Sequence, residues 1–135
     1  SGNGNSSALV GSDGNSTDNY LLVDNNASVP PVTTEYVESA TEGDKDTYAM
    51  TDLTTTGTVY GVMTSMYAQK DDAGAKYVRP VIRSGSTDYP GTSVALSNGT
   101  YAPFDECWDV DPNTSSAWAY TAVNAMEVGP EVRDS

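Results

Sequence analysis

At 135 residues, 37% of them apolar and 9% aromatic, the chain is long enough for one domain with its own core and too apolar for the disordered class. Its net charge of −13 argues against nucleic acid and anionic membranes as partners, because affinity there comes from neutralised phosphates. Histidine is absent and cysteine occurs once, at Cys107, which excludes a Ser-His-Asp triad, the usual zinc ligand and any intrachain disulfide.

In chain order, Ser1–Ser7 contains only Gly, Asn, Ser and reads as a flexible lead-in, with a single domain expected over 8–135. The first residue is Ser rather than Met, which leaves open removed residues or a preceding domain. Ala8-Leu9-Val10 suits a short edge strand. Gly11 to Asn19 is turn chemistry throughout. Tyr20-Leu21-Leu22-Val23 predicts a strand, and Asp24 to Thr33, with Pro30-Pro31, a rigid extended loop. Glu35 to Glu38 predicts a short strand. Asp46 to Asp52 alternates and predicts a half-buried one.

The stretch Val59 to Trp108 carries the organising signal. Val59 to Ala68 is the longest apolar run, Gln69 to Gly74 is polar and ends in Gly, and Tyr77 to Ile82 is again β-branched and aromatic. This predicts a central β-hairpin buried between two layers. Tyr60, Val62, Thr64, Met66 and Ala68 share one face; Val59, Gly61, Met63, Ser65 and Tyr67 share the other.

Beyond Arg83, Ser84 to Gly91 reads as a long polar loop, in which Tyr89 is the aromatic most suited to exposure. Val94-Ala95-Leu96 is a brief strand, and Asn98-Gly99 a hairpin turn signal before a strand over Tyr101 to Trp108. There Phe104 and Trp108 share a face opposite Cys107, and Pro103 suits an edge or bulge. Asp111 to Thr114 breaks the chain and offers caps for a helix within Ser115 to Met126, where Trp118, Ala122, Val123 and Met126 align. Glu127 to Arg133 is the last strand. About nine strands and one short helix near the C-terminus predict an all-β, antiparallel, jelly-roll-like sandwich. No apolar run is long enough to span a bilayer, and no signal-peptide core is visible.

Three groups of residues bring a family to mind. They are Gly43-Asp44-Lys45-Asp46-Thr47-Tyr48 with Lys70 to Ala75, then Arg83 to Tyr89, and the ending Trp108 to Thr114, Ala117-Trp118 and Val123 to Gly129. Together with Asp13 to Tyr20, this ordered set resembles small structural proteins of tailed-bacteriophage virions over nearly the whole chain. The resemblance implies a non-enzymatic β-sandwich virion part, associated with the capsid or the tail. Pro130 departs from the apolar strand former more usual in that family, which puts regular pairing of the last strand in question.

The remaining motifs carry little chemistry. Asp109-Val110-Asp111-Pro112-Asn113 opens like a calcium loop, but Thr114 stands at the glycine position and Tyr120 at that of the bidentate Glu. Asp111 and Thr114 fit better as turn-shaping and capping residues. Asp71-Asp72 and Asp44/Asp46 are paired carboxylates that turn formation explains. Cys107, with no histidine to activate it and Trp108 beside it, reads as a packed thiol. The Asn-x-Ser/Thr triplets at Asn5, Asn15, Asn26, Asn98 and Asn113 are expected by chance in so polar a chain. Lys70, Lys76, Arg79 and Arg83 cluster on the predicted hairpin, either as local counter-charges or, with Tyr89, as an interaction patch for an acidic partner.

These readings predict no enzyme, cofactor or metal. They predict a virion protein that contacts other capsid or tail proteins, in several copies or as a homo-oligomer, without nucleic acid or membrane. An exterior decoration or cement role comes first, and a tail accessory role second. Packaged nucleic acid would repel so acidic a module from the interior. The alternative is a carbohydrate-binding host-adhesion module of a phage fibre. A polysaccharide depolymerase ranks last, because it would need two facing carboxylates in a cleft.

Overall fold

The computed structural model describes residues 2–24 and 32–135. The predicted Pro30-Pro31 loop lies largely outside them. In chain order the strands are β1 (Gly2–Ser7), β2 (Val10–Gly11), β3 (Val37–Glu38), β4 (Asp46–Ala49), β5 (Val62–Ala68), β6 (Tyr77–Ser84), β7 (Thr87–Pro90), β8 (Val94–Ala95), β9 (Ala102–Trp108) and β10 (Glu127–Arg133). One helix, α1 (Tyr120–Ala125), precedes the last strand. The fold is thus all-β and antiparallel, with a short helix near the C-terminus, as the sequence predicts.

The strands divide six, two and two. The main sheet runs β1-β4-β10-β6-β7, with β8 also on β6, while β2 pairs with β3 and β5 with β9. A jelly roll would instead carry eight strands in two Greek keys. The central element is β6. It alternates almost wholly buried positions, and Val81 and Ile82 are both 0% exposed. β10 pairs with it in unbroken register from Glu127↔Arg83 to Arg133↔Tyr77.

Pro130 does not disturb this pairing, because it faces Pro80. The Pro80 carbonyl turns away from β10 and accepts from Gly91 N at 2.7 Å. The two imides therefore occupy a non-hydrogen-bonded pair, and the β6–β10 ladder loses no donor there.

The predicted hairpin does not form. Its two strands exist, but β5 pairs with β9 from Val62↔Trp108 to Ala68↔Ala102, and β6 belongs to the other sheet. Residues between them change layer instead of turning back. The Asn98-Gly99 turn behaves likewise. Gly99 adopts φ +64°, but the turn leads from β8 on the main sheet to β9 on the ribbon.

Four further expectations are corrected. The lead-in 1–7 is β1 over Gly2–Ser7, held against β4 by side chains: Asn5 N donates to Glu127 Oε2 at 2.7 Å and Ser6 N to Thr47 Oγ1 at 3.0 Å. Tyr20 to Val23 is not a strand, since a 3₁₀ turn spans Asn19–Leu21. The long polar loop after Arg83 is a tight hairpin. Gly85 (φ +56°) and Ser86 (φ +72°) join Ser84 to its partner Thr87. This is the double positive-φ turn that matches strand twist. Finally, α1 is shorter than predicted and its N-cap is Ala119, so Asp111 and Thr114 do not cap it. Asp111 shapes the preceding turn, accepting from Asn113 N and Ser84 Oγ through Oδ1.

Sheet and ribbon meet at one cluster. Ile82, Trp118 and Met126 are buried, and Val59, Val62, Trp108, Ala122, Val123 and Val128 pack on them. The indole of Trp118 donates to Trp108 O at 2.8 Å, fastening the segment before α1 to the end of β9. The helical-spacing set Trp118, Ala122, Val123 and Met126 thus meets the core as predicted.

Candidate functional site: the β5–β9 ribbon and the cleft beneath it

The predicted basic patch is consumed within the molecule. Arg79 pairs in fork fashion with Glu131 (Nη2–Oε1 2.8 Å, Nε–Oε2 3.2 Å). Arg83 Nη1 lies 2.7 Å from Asp88 Oδ1, and Lys45 holds the other oxygen of the same carboxylate. Lys76 Nζ meets Asp134 at 2.6 Å, and Lys70 Nζ donates to Gly74 O. Tyr89 is half-buried in β7, and its hydroxyl pairs with Asn113 Oδ1 at 3.3 Å. Lys76, Arg79 and Arg83 therefore act as counter-charges to carboxylates of the same chain, while Lys70 meets a backbone carbonyl and Tyr89 an amide.

The pairings shift two ionisations. Burial opposes the charge on Asp88, but the hydrogen bonds from Lys45 and Arg83 outweigh it and hold the carboxyl below its usual range. The Asp134 hydrogen bond raises Lys76 above the ordinary lysine value.

The ribbon offers what the patch does not. From Val62 onward β5 alternates as its sequence does. Val62, Thr64, Met66 and Ala68 turn inward, and Met63, Ser65 and Tyr67 outward. Met63 is 65% exposed and Tyr67 52%. Tyr60, ahead of the strand, is 88% exposed, where the sequence placed it among buried aromatics. Opposite Met63 stands Cys107, which is exposed; the expectation of a packed thiol is wrong because no described residue covers the outer side of the ribbon there. Ser65 Oγ reaches Asp105 Oδ1 at 2.5 Å and fixes the register across the pair. Among the described residues no third strand pairs with the ribbon, so both of its outer edges present backbone groups without a strand partner.

Beneath the ribbon, a cleft of about 1280 Å³ opens towards the main sheet. Met66 from the ribbon faces Tyr48, Val78, Val128, Pro130 and Val132 from the sheet side. Tyr36 and Tyr101 are also in its wall. Burial, with Tyr36 and Glu38 adding, raises the Tyr101 hydroxyl above its ordinary value. Among the described residues no group of three or more His, Cys, Asp or Glu side chains is placed to hold a metal. Apolar side chains make up most of the wall, and the ionisable Glu35, Glu38, Asp71, Asp72, Lys70 and Lys76 also line it.

No family model matches the chain, and the curated proteins and solved structures offer no match either. Among the described residues no helix is long and apolar enough to cross a membrane.

The sequence reading missed two features. One is the exposure of Met63 and Tyr67, because an apolar run with both faces occupied reads as a central strand. The other is the buried polar pair Asn19 and Asp46, 0% and 1% exposed. Both were absorbed into turn chemistry, and no local pattern distinguishes a buried Asn from a loop Asn.

Proposed function

We propose that this chain is a non-enzymatic structural protein that works by protein–protein contact, with the β5–β9 ribbon as its docking element. The ribbon carries the reading: it joins unpaired edges to an exposed Met63/Tyr67 face, and both are features that a partner covers. An extended segment of a neighbour adding to a ribbon edge would supply backbone hydrogen bonds, and the aromatic face would add apolar area. The ordered resemblance to small virion proteins of tailed phages supports a place on the particle, as an exterior decoration or cement protein or as a tail accessory. The acidic balance favours the outside, and many copies make weak contacts sufficient by avidity.

The test is to mix the purified chain with particles that lack it and count bound copies by quantitative mass spectrometry. Wild-type chain is expected to bind in stoichiometric amounts, and the Met63→Ser/Tyr67→Ser variant is expected to bind much less. No association of the folded wild-type chain with capsid or tail would sink the virion reading.

A second reading rests on Tyr60 and Tyr67, two exposed aromatics that could stack on sugar rings in a host-adhesion module. A glycan array separates the two. Specific hits lost on Tyr60→Ala favour adhesion, whereas a blank array alongside particle binding removes it.

A further inference from the structure

We propose that the loop from Gly11 to Asn19 is a cation site for a hard divalent ion of the Ca²⁺ class, held by Asp13 and Asn19 with Asp18 beside them. The sequence treats this stretch as turn chemistry alone.

The argument begins with Asn19, which is 0% exposed. Its Nδ2 donates twice, to Leu9 O at 2.9 Å and to Asp46 Oδ2 at 2.6 Å. Those two acceptors fix the sense of the amide, because a flipped group would press its oxygen against a carbonyl and a carboxylate. Oδ1 is therefore forced to the opposite side, where no donor among the described residues meets it. A buried acceptor left in this state is uncommon in a folded protein and calls for a partner such as a water or an ion.

The neighbouring groups aim at the same spot. A Cβ built on Gly11 would stand 2.7 Å from Asp13 Oδ1 and 3.0 Å from Asn19 Oδ1, so both oxygens lie close to one point beside this glycine, where only a residue without a Cβ fits. Leu22 Cδ1 lies 2.5 Å from the same point and packs against the pair. Asp13 is held in place, accepting from Asn15 N at 3.1 Å and Asn15 Nδ2 at 2.6 Å. Asp18, next to Asn19, also has a buried Oδ1 with no partner. Asp13 Oδ1 and Asn19 Oδ1 are both acceptors, and neither can satisfy the other.

Charge points the same way. Asp46 is a carboxylate 1% exposed, and its partners are all neutral donors: Leu9 N at 2.8 Å, Asn19 Nδ2, and Tyr48 OH at 3.0 Å. Buried charge normally comes with an opposite charge. A cation on Asn19 Oδ1 would polarise the amide and strengthen its donation to Asp46, placing the missing positive charge one amide away. Carboxylate and amide oxygens in a flexible loop, completed by backbone carbonyls and water, suit Ca²⁺. Mg²⁺ demands a regular octahedron and keeps more of its water. Occupancy would also steady β1, since Asn3 Nδ2 donates to Thr17 O at 2.7 Å and Ser7 Oγ to Ser16 O at 2.5 Å.

Calorimetry and thermal unfolding of the whole chain in CaCl₂, against NaCl of equal ionic strength, test this. The expected result is saturable binding of one Ca²⁺ per chain and a rise in Tm that NaCl does not reproduce. Asp13→Asn keeps the acceptor for Asn15 N but removes the charge, and should weaken binding by about tenfold or more. Asp72→Asn, in a distant exposed turn, should change nothing. Equal binding by Asp13→Asn and wild type would overturn the proposal, since Ca²⁺ would then merely screen an acidic surface. Should Asp13→Asn misfold, the wild-type chain alone still decides: no saturable heat, or a Tm that follows ionic strength whatever the salt, means there is no such site.

Discussion

The Tyr48 hydroxyl donates to Asp46 Oδ2 across 3.0 Å, with both residues of β4 buried. Burial first, and then the Asp46 charge and hydrogen bond, raise the Tyr48 hydroxyl far above its ordinary value. A tyrosine so shifted keeps its proton when folded while the unfolded chain loses it. Its contribution is complete below the unfolded value near 10.0 and declines as pH rises above it. Melting temperature measured from pH 8 to 11 should therefore fall towards the alkaline end, and less steeply for Tyr48→Phe. At neutral pH that variant should lose about 1.5–3 kcal/mol, the scale of a hydrogen bond to a charged group.

Asp88 titrates in the opposite sense. Its carboxyl is held low by Lys45 and Arg83 despite burial, so the folded chain gives up the proton more readily than the unfolded one. The stabilisation is present above the ordinary carboxylate range and disappears as pH falls through it. Asp88→Asn should cost about 1 kcal/mol at pH 7, because two partly shielded ion pairs are lost. The gap between variant and wild type should narrow towards pH 3. Urea melts at the two pH values measure it, and a gap that widens in acid would contradict the assignment.

Individual strands were legible in the sequence where alternation or β-branching is dense, as in β6, β9 and β10. Partner choice was not. The polar Gly-containing stretch after Ala68 looks like a hairpin turn, yet Val62 finds its partner at Trp108. Nothing in local periodicity states which strand another will choose. β1 was invisible for a different reason. Gly, Asn and Ser are poor strand formers, and this strand is held by hydrogen bonds to distant partners, from Asn5 N and Ser6 N to Glu127 and Thr47 and from Asn3 and Ser7 to the Ser16–Thr17 backbone. The candidate site was half legible. The two faces of Val62 to Ala68 were sorted correctly, but which face meets water depends on a second layer that the ribbon lacks.

The β6–β7 turn offers a stabilising change. Ser86 sits at φ +72°, a conformation that costs an L-residue about 1–2 kcal/mol and glycine nothing comparable. Ser86→Gly should raise stability by roughly 0.5–1 kcal/mol after its extra unfolded-state entropy is counted. Gly85→Ala should do the reverse, since the new methyl would meet the Asn113 side chain as well as the strained φ of +56°. Thermal melts of the two variants should move in opposite directions from wild type. A gain from Gly85→Ala would refute the turn geometry.

Trp118 should decide whether ribbon and sheet stay together. It is 4% exposed, packs in the cluster shared by Ile82 and Met126, and ties its indole N–H to Trp108 O at the end of β9. Trp118→Ala removes the largest side chain of that cluster and should cost about 3–5 kcal/mol. The loss should not be uniform. β6 and β10 keep their seven-pair ladder, whereas β5 and β9 have only each other and the contacts that the cluster supplies. Hydrogen exchange on the variant should therefore accelerate over Val62–Ala68 and Ala102–Trp108 well before it does so over Tyr77–Ser84. Trp118→Phe keeps most of the volume but not the donor, and should loosen the same segments less. Uniform acceleration across both layers in Trp118→Ala would mean that the ribbon is held from elsewhere.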